Sequence, residues 1–92
     1  MAELVYEIDK EKVAWRKIEG EVTILDKKTA EFFNLNSTAS QIWHLIQHGE
    51  TVESIVKYLV KHFDIEYKII REDVVSLMKE FSQKGFIKLH EK

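Results

Sequence analysis

The sequence predicts a small α+β domain, in which a three-stranded antiparallel sheet is followed by three helices. Two observations lead to this prediction. Between residues 13 and 35, short runs of alternating apolar residues are separated by polar turns, which is the pattern of a β-meander. Between residues 39 and 81, apolar residues recur every three or four positions, as on one buried helix face. The 92-residue chain has no linker or repeat, so a single domain spanning residues 1–92 is expected.

The predicted sheet follows an N-terminal segment, residues 1–12, that can be an extra strand, a docked arm or a frayed end. VAWRKI at residues 13–18 is the first strand of the meander, and EG at 19–20 makes a turn because glycine accepts positive φ. EVTIL at 21–25 is the second strand and AEFFNL at 30–35 is the third. Short connections predict antiparallel neighbours, so the third strand lies at an edge of the sheet.

Capping residues and apolar spacing predict the first two helices. Asn36 or Ser37 can cap the first helix, because either side chain can accept a hydrogen bond from an otherwise unpaired backbone N–H. Gly49 supplies a typical helix end, and Thr51 is the predicted cap of the second helix. The residues predicted to form the buried faces of these helices are Ala39, Ile42, Trp43, Ile46, Val52, Ile55, Val56, Leu59 and Phe63.

A third helix is predicted to begin near Ile70 or Arg71 and to end at Gly85. After it, FIKLH at residues 86–90 allows a short C-terminal strand. The residues predicted to be buried on this helix are Ile70, Val74, Leu77, Met78 and Phe81. The complete order of three strands, three helices and a final strand is winged-helix-like.

Composition argues against catalysis and against a bound metal or cofactor. The chain has no cysteine, which excludes disulfides, thiolate chemistry and cysteine zinc sites. His44 and His48 have the spacing of a helical metal pair, but no acidic residue stands between them as in a metalloprotease helix. No two carboxylates share an apolar setting of the kind that tunes a catalytic acid, and the three glycines form no phosphate loop. We therefore expect neither an enzyme nor a metal or cofactor site.

A winged-helix DNA-binding or regulatory module is the main alternative, because two helices joined by a loop can form a helix-turn-helix. The third helix should then present arginine or lysine to phosphates. Here Glu72 and Asp73 place acidic charge in its first turn, and the polar residues that follow are of both signs. The net charge of −2 also lacks the basic surplus typical of nucleic-acid binders. We therefore expect no nucleic-acid partner.

The sequence shows no segment that would direct the chain to a membrane. No apolar run approaches the roughly 20 residues that span a bilayer. Residues 1–12 lack the basic and apolar regions of a signal peptide. The absence of cysteine suits a reducing compartment. We expect a cytoplasmic protein with no membrane partner.

The third strand contains two adjacent phenylalanines, Phe32 and Phe33, whose side chains must point to opposite faces, so one core cannot easily hold both. One interpretation is purely structural, with Phe32 covering Trp15 or Ile24 on the far side of the sheet. The other is a groove. Val75 widens the apolar face of the third helix, and an edge strand beside such a face can accept an extended peptide as an added strand.

The same edge can instead pair with the edge of a second copy, since unpaired backbone groups are a template for another strand. An oligomerisation module is therefore a third possibility. The expected state in solution is a monomer or a weak homodimer.

Three segments carry a resemblance to a known family. FFNLNSTASQIW at residues 32–43 is similar to the aromatic–aromatic–x–Leu–Asn–x–Thr–Ala segment, followed by Ile-Trp, of the PqqD-like family. GETVESIV at 49–56 and FSQKGFI at 81–87 resemble two further landmarks of that family, in the same order and at the expected spacing. The resemblance covers about residues 22–87. The Ile-Trp pair resembles the wider PqqD-like set more than the members dedicated to pyrroloquinoline quinone, so no product is assigned.

The resemblance implies a winged-helix-like domain known as a RiPP recognition element, which binds the leader region of a ribosomally synthesised precursor peptide. In this family the leader adds as a strand to the third strand of the sheet and lies against the third helix. A partner enzyme then modifies the core peptide, often a radical SAM protein, an ATP-dependent cyclase-type enzyme or a leader protease. The domain itself is not a catalyst.

Carried onto this sequence, the resemblance places a peptide-binding site on the third strand and the third helix. Its strand residues are Glu31, Phe32, Phe33, Asn34 and Leu35, and its helix wall consists of Arg71, Val74, Val75, Met78 and Lys79. The further motif residues Asn36, Thr38, Ile42 and Trp43 are interpreted as cap and core. One phenylalanine then belongs to the core while the other lines or braces the groove, and the sequence leaves open which is which.

Overall fold

The computed structural model describes residues 4–91, which form five strands and three helices. In chain order these are β1 (Leu4–Ile8), β2 (Val13–Ile18), β3 (Glu21–Asp26), β4 (Phe32–Asn34), α1 (Ser37–Gln47), α2 (Val52–Phe63), α3 (Tyr67–Gln83) and β5 (Ile87–Glu91).

The predicted three-stranded meander is confirmed. Strands β2, β3 and β4 form an antiparallel sheet in that order, with Ile24 opposite Phe33. β4 is shorter than the strand predicted at residues 30–35, because Ala30 has a φ of 63° and this left-handed conformation is incompatible with an extended strand. Ala30 instead donates from its backbone N–H to the Asp26 carbonyl oxygen at 2.7 Å and closes the turn.

The N-terminal segment contributes a strand rather than an arm or a frayed end. β1 pairs antiparallel with β5 in a second, two-stranded sheet, with Ile8 opposite Ile87. This pairing also confirms the short C-terminal strand. β1 packs beside α1 and β5 packs beside α3. Residues 1–3 of the N-terminal segment lie outside the described residues.

The predicted caps of the first two helices are confirmed. The Asn36 side chain accepts a hydrogen bond from the Ala39 N–H at 2.8 Å at the start of α1. The Thr51 hydroxyl accepts one from the Ser54 N–H at 3.1 Å at the start of α2. Each cap satisfies a backbone donor that has no partner within its helix. α1 is followed by Gly49, whose φ of 75° lies in the left-handed region favoured at helix ends.

α3 begins at Tyr67, earlier than the start predicted near Ile70 or Arg71. Its first turn contributes little to the core, since Tyr67 and Ile69 are 43% and 49% exposed, and its N-cap residue makes no side-chain cap hydrogen bond. A turn without a buried stripe or a capping side chain leaves no signal in the sequence. This turn is attached to α2 instead, because the Tyr67 hydroxyl donates to the Glu53 carboxylate at 2.7 Å.

The core lies between the inner face of the three-stranded sheet and the helices. Trp43 of α1 is fully buried at its centre, with its ring edge-on to Trp15 of β2 at 5.5 Å and to Phe81 of α3 at 5.2 Å. Such aromatic contacts add to the large apolar area that each ring buries. The predicted helix faces contribute to this core, but Phe63, the last residue of α2, is 36% exposed.

Candidate functional site

Among the strands of residues 4–91, β4 has a hydrogen-bonded neighbour on one side only. At its two ends, Glu31 accepts and Leu35 donates backbone hydrogen bonds across to β3, at 2.9 and 2.8 Å. Bonded and non-bonded pairs alternate along antiparallel strands, so Phe33 also directs its backbone groups toward β3. Phe32 and Asn34 direct theirs toward the free edge. The edge therefore presents two residues to which another strand can bond.

The two phenylalanines of β4 lie on opposite faces of the sheet. Phe33 is in register with Ile24, which is in turn opposite Trp15, and all three face the helices. Phe32 is opposite Leu25 on the outer face and is 67% exposed. Phe32 therefore does not cover Trp15 or Ile24, and Phe33 is the phenylalanine that belongs to the core side.

An open groove with a volume of about 420 Å³ runs between β4 and the C-terminal half of α3. Its base is apolar and includes Phe81 and Phe86, which are both buried. The Phe33 ring packs edge-on against Phe86, with ring centres 5.4 Å apart. We call this the β4–α3 groove, and its lining residues are Phe32, Phe33, Asn34, Leu35, Leu77, Glu80, Phe81, Lys84 and Phe86.

Lys84 and Glu80 give the rim of the β4–α3 groove one charge of each sign. The Lys84 Nζ lies 3.9 Å from the Glu80 Oε1 and 5.3 Å from the centre of the Phe33 ring. The two side chains are 37% and 59% exposed. An ion pair this accessible to water contributes little to stability, so either charge can exchange its partner for a group on a ligand.

The helix residues predicted to form the groove wall do not line this groove. Val74 and Met78 are buried in the core, with exposed fractions of 0% and 2%. Arg71 lies toward α2, where its Nε is 3.4 Å from the Glu53 Oε1.

The other two residues of the predicted helix wall are Val75 and Lys79. Both are exposed on a different side of α3. Successive helix residues are rotated by about 100°, so residues two positions from Leu77 lie on nearly the opposite side of the helix. Leu77, Glu80 and Lys84 form the wall instead. Apolar spacing identified the buried stripe of this helix, but it does not reveal which flank of the stripe borders β4.

Ser40 holds the edge strand against the helices, and the sequence analysis did not single it out. It is 3% exposed, and its hydroxyl accepts a hydrogen bond from the Val22 N–H at 2.8 Å. The same hydroxyl donates to the Leu35 carbonyl oxygen at 3.3 Å. One side chain thus joins α1 to β3 and to the residue after β4. The signal in the sequence is a hydroxyl residue beside the buried positions Ile42 and Trp43.

The start of α3, well away from the groove wall, is a separate polar cluster. The hydrogen bond donated by Tyr67, together with the nearby Arg71 guanidinium, lowers the pKa of the Glu53 carboxyl below its ordinary value of 4.5. The same bond raises the pKa of the Tyr67 hydroxyl above its ordinary value of 10.0. These pKa shifts have a local cause in the contact between α2 and α3, and neither Glu53 nor Tyr67 lines the β4–α3 groove.

Within residues 4–91, no cluster of three or more histidine, aspartate or glutamate side chains is arranged to hold a metal ion. His44 and His48 lie together, with ring centres 4.3 Å apart, but the His48 Nδ1 is already hydrogen-bonded to the His44 carbonyl oxygen at 2.9 Å. Among the helices of the same described range, none is long and apolar enough to cross a membrane.

Two solved structures share this architecture. One, described as TbiB1 in complex with the TbiA(beta) leader peptide, has a TM-score of 0.83 at 23% identity and covers 89% of this chain and 94% of its own. The other is described as lasso peptide synthetase B1 complexed with the leader peptide. It has a TM-score of 0.82 at 17% identity, and the match covers 90% of this chain and 96% of that one. These likenesses confirm the predicted winged-helix-like α+β fold.

The curated sequences give no significant match. The family described as Coenzyme PQQ synthesis protein D (PqqD) matches residues 21–87, which include the edge strand and all three helices. The family resemblance found in the three sequence segments is therefore confirmed, and the chain belongs to the PqqD family.

Proposed function

We propose that this protein binds the leader region of a ribosomally synthesised precursor peptide and delivers it to a modifying enzyme. Membership of the PqqD family supports this proposal. The two structures of the same fold also support it, because each is described as a complex with a leader peptide. The observation that carries the proposal is the open edge of β4 beside an apolar groove.

In this proposal the leader adds as a fourth strand to the sheet. Phe32 and Asn34 each offer a backbone N–H and a carbonyl oxygen at the free edge, and pairing with them supplies affinity that does not depend on the leader sequence. Alternate leader side chains point inward, toward the β4–α3 groove, where Leu77 and Phe33 receive apolar groups. The others point outward beside Phe32. Selectivity then comes mainly from the inward positions.

The proposed contacts differ in part from those expected from the sequence. Phe32, Phe33, Asn34 and Leu35 are retained, while Glu31 contributes backbone pairing to β3 rather than to the ligand. On α3, the wall residues are replaced as a set. Arg71, Val74, Val75, Met78 and Lys79 give way to Leu77, Glu80 and Lys84.

The remaining parts of the proposal follow from the role of a leader-binding domain. The protein acts without catalysing a reaction, and its second partner is the enzyme that modifies the core peptide, such as a radical SAM enzyme, a cyclase-type enzyme or a leader protease. A precursor made on cytoplasmic ribosomes places the complex in the cytoplasm.

The experiment is an amide NMR titration of the labelled full chain with a synthetic leader peptide from the precursor gene nearest to its own gene. Strand addition should shift the amides of residues 32–35 and 77–86 and should protect those of Phe32 and Asn34 from solvent exchange. Shifts confined to other surfaces, or no shifts at millimolar peptide, would contradict the proposal. Shifts at β4 that depend on protein concentration without peptide would indicate pairing with a second copy instead.

A variant of one edge residue provides the matched control. Asn34→Pro removes the N–H that faces the free edge and leaves the bonds between β4 and β3 in place, so leader affinity should fall at least tenfold. Asn34→Ala retains that N–H and loses only the side-chain bond from the Thr23 hydroxyl, so its affinity should stay close to that of the wild type.

A further inference from the structure

The β4–α3 groove continues beyond β4 at both ends. Toward the N-terminus of α1 it meets a second depression of about 360 Å³, which shares Leu77 and Glu80 with it. This acidic depression is also lined by Asp73 and by the apolar side chains of Ile65 and Ile70. A peptide lying on β4 therefore has a continuous path along α3.

At the opposite end, Lys84 and Phe86 are shared with a third depression of about 160 Å³. Its other lining residues are Lys12, Asp26 and Lys28, and we call it the basic depression.

The two ends of this path carry opposite charge. In the basic depression, three lysines face a single carboxylate, Asp26, whose Oδ1 is occupied by the backbone N–H of Lys28 at 2.9 Å. The Lys12 Nζ lies over Gly85, 3.2 Å from the position that a Cβ there would take. Among residues 4–91, the acidic depression is lined by Asp73 and Glu80 and by no lysine or arginine. A bound segment therefore meets a gradient of potential along its length.

The length of the path sets the spacing of charges that can use it. Asp73 and Lys84 are separated along α3 by about 17 Å, at 1.5 Å per helical residue. An extended chain covers this distance with about five residues. Charged groups that reach both ends must therefore be about five positions apart in the bound peptide.

The direction of β4 sets which charge comes first. β4 runs from the basic depression toward the acidic one, because Asp26 and Lys28, which precede β4 in the chain, line the basic depression, whereas Asn36, two residues after its end, lines the acidic one. Every strand pair within residues 4–91 is antiparallel. An added antiparallel strand would therefore enter at the acidic depression and leave at the basic one.

We propose, on the basis of the function proposed above, that this protein selects leader segments with a dipolar charge pattern. The segment carries a lysine or arginine that meets Asp73 and Glu80, a short apolar stretch that pairs with β4, and an aspartate or glutamate that meets the lysines of the basic depression. The acidic residue follows the basic one by about five residues. The Glu80–Lys84 ion pair at the rim opens to serve both ends, since its 3.9 Å separation and exposure make it weak.

The test is a selection of random twelve-residue peptides displayed on phage against the full chain. Peptides that also bind the folded Asn34→Pro variant are discarded, so that those retained depend on the β4 edge. We expect the retained peptides to be enriched in basic residues before an apolar stretch and in acidic residues after it. One retained peptide is then synthesised, together with a version in which its basic and acidic residues are exchanged.

Charge-reversed variants of the protein show whether the two depressions cause the selection. Lys28→Glu and Asp73→Lys should each weaken the selected peptide by between about twofold and fivefold, the range for exposed ion pairs. The double variant should prefer the charge-exchanged peptide. Lys79→Glu makes the same charge change on the opposite side of α3 and should leave affinity unchanged.

The outcomes separate this inference from the function on which it rests. Failure to retain any peptide that requires the β4 edge would overturn the proposed strand addition, and this inference with it. Retained peptides with no charge pattern, or with acidic residues first, would overturn the dipolar selection and leave strand addition intact. Equal effects of Lys79→Glu and Lys28→Glu would likewise overturn it, because net charge alone would then explain the change.

Discussion

The Lys84 Nζ lies 5.3 Å from the centre of the Phe33 ring, and this contact joins the residue that ends α3 to the edge strand β4. The two elements are far apart in sequence, yet together they form the mouth of the β4–α3 groove. A cation over an aromatic face is favourable, and here it also leaves a positive charge in the lining of the groove. The Lys84–Phe33 contact therefore holds β4 beside the end of α3 and lies in the β4–α3 groove at the same time.

Replacing Lys84 tests this link. Lys84→Met keeps an unbranched chain of similar length but removes the charge, so we expect a loss of about 0.5–1 kcal/mol in the free energy of unfolding, the range for exposed cation–π contacts. Urea denaturation measures this loss. Lys79→Met makes the same change on the opposite side of α3 and should have no measurable effect. Equal losses in the two variants would show that the position of the cation is irrelevant.

The two phenylalanines of β4 should respond differently to truncation. Phe33→Ala leaves space beside Phe86 and Ile24, and we expect a loss of about 2 kcal/mol, less than the 3–5 kcal/mol typical of a fully buried phenylalanine. Phe32→Ala removes a side chain that is 67% exposed, and its effect on stability should stay within about 0.5 kcal/mol. Both variants should weaken leader binding. A Phe32→Ala variant with unchanged leader affinity would place no ligand side chain beside Phe32.

Much of this fold can be predicted from the sequence because its signals are local. Thr51 caps α2 by accepting a hydrogen bond from the backbone N–H of the residue three positions later, and Asn36 caps α1 in the same way. The shorter β4 and the earlier start of α3 have non-local or weak causes. Ala30 adopts a left-handed conformation that its residue type does not announce, and Tyr67 is held by Glu53 on another helix.

The wall of the β4–α3 groove is another feature that local sequence signals do not predict. The apolar stripe of α3 predicts correctly that Val74 and Met78 are buried, yet the contact of this stripe with β4 depends on how the helix lies across the sheet. α3 packs on α2 and β5, so that geometry involves elements other than α3 itself. The strand residues of the candidate site could be predicted without knowing how α3 lies across the sheet, because an edge strand contributes through its backbone.

Two aspartate substitutions on α3 distinguish the observed wall from the one expected from the sequence. Leu77→Asp places a charge on the apolar surface of the β4–α3 groove and should lower leader affinity at least tenfold. Val75→Asp changes a residue that is 42% exposed on the other side of the helix, so binding and stability should both stay near those of the wild type. Isothermal titration calorimetry with the leader peptide measures both. Loss of binding in Val75→Asp alone would restore the wall predicted from the sequence.

Removing the Ser40 hydroxyl should destabilise the edge strand more than its size suggests. Ser40→Ala leaves the buried Val22 N–H without an acceptor, and such a group costs about 1–3 kcal/mol. Hydrogen exchange should show a matching loss of protection at Val22 and at neighbouring residues of β3 and β4. Ser37→Ala, an exposed serine in the first turn of the same helix, is the control and should change stability little. If both variants lose the same stability, the effect reflects the helix and not the connection to the sheet.

The attachment of α3 to α2 should depend on pH in two separate ranges. The pKa of Glu53 is lowered in the folded protein, so its contribution is present above the ordinary value of 4.5 and is lost as the pH falls through the lower folded value. The pKa of Tyr67 is raised, so its contribution is fully present below 10.0 and is lost as the pH rises through the higher folded value. Between these ranges the Tyr67–Glu53 hydrogen bond is intact.

Thermal unfolding from pH 3 to pH 11 tests this dependence with Glu53→Gln and Tyr67→Phe. Both variants should unfold at a lower temperature than the wild type near pH 7. For Glu53→Gln the difference should shrink toward acid, because the wild type there loses the carboxylate that the variant already lacks. For Tyr67→Phe it should shrink toward both extremes, since protonation of the Glu53 carboxylate weakens the bond and deprotonation of the Tyr67 hydroxyl removes its donor. A difference that stays constant across the whole range would mean that the side chains matter for packing and not for this hydrogen bond.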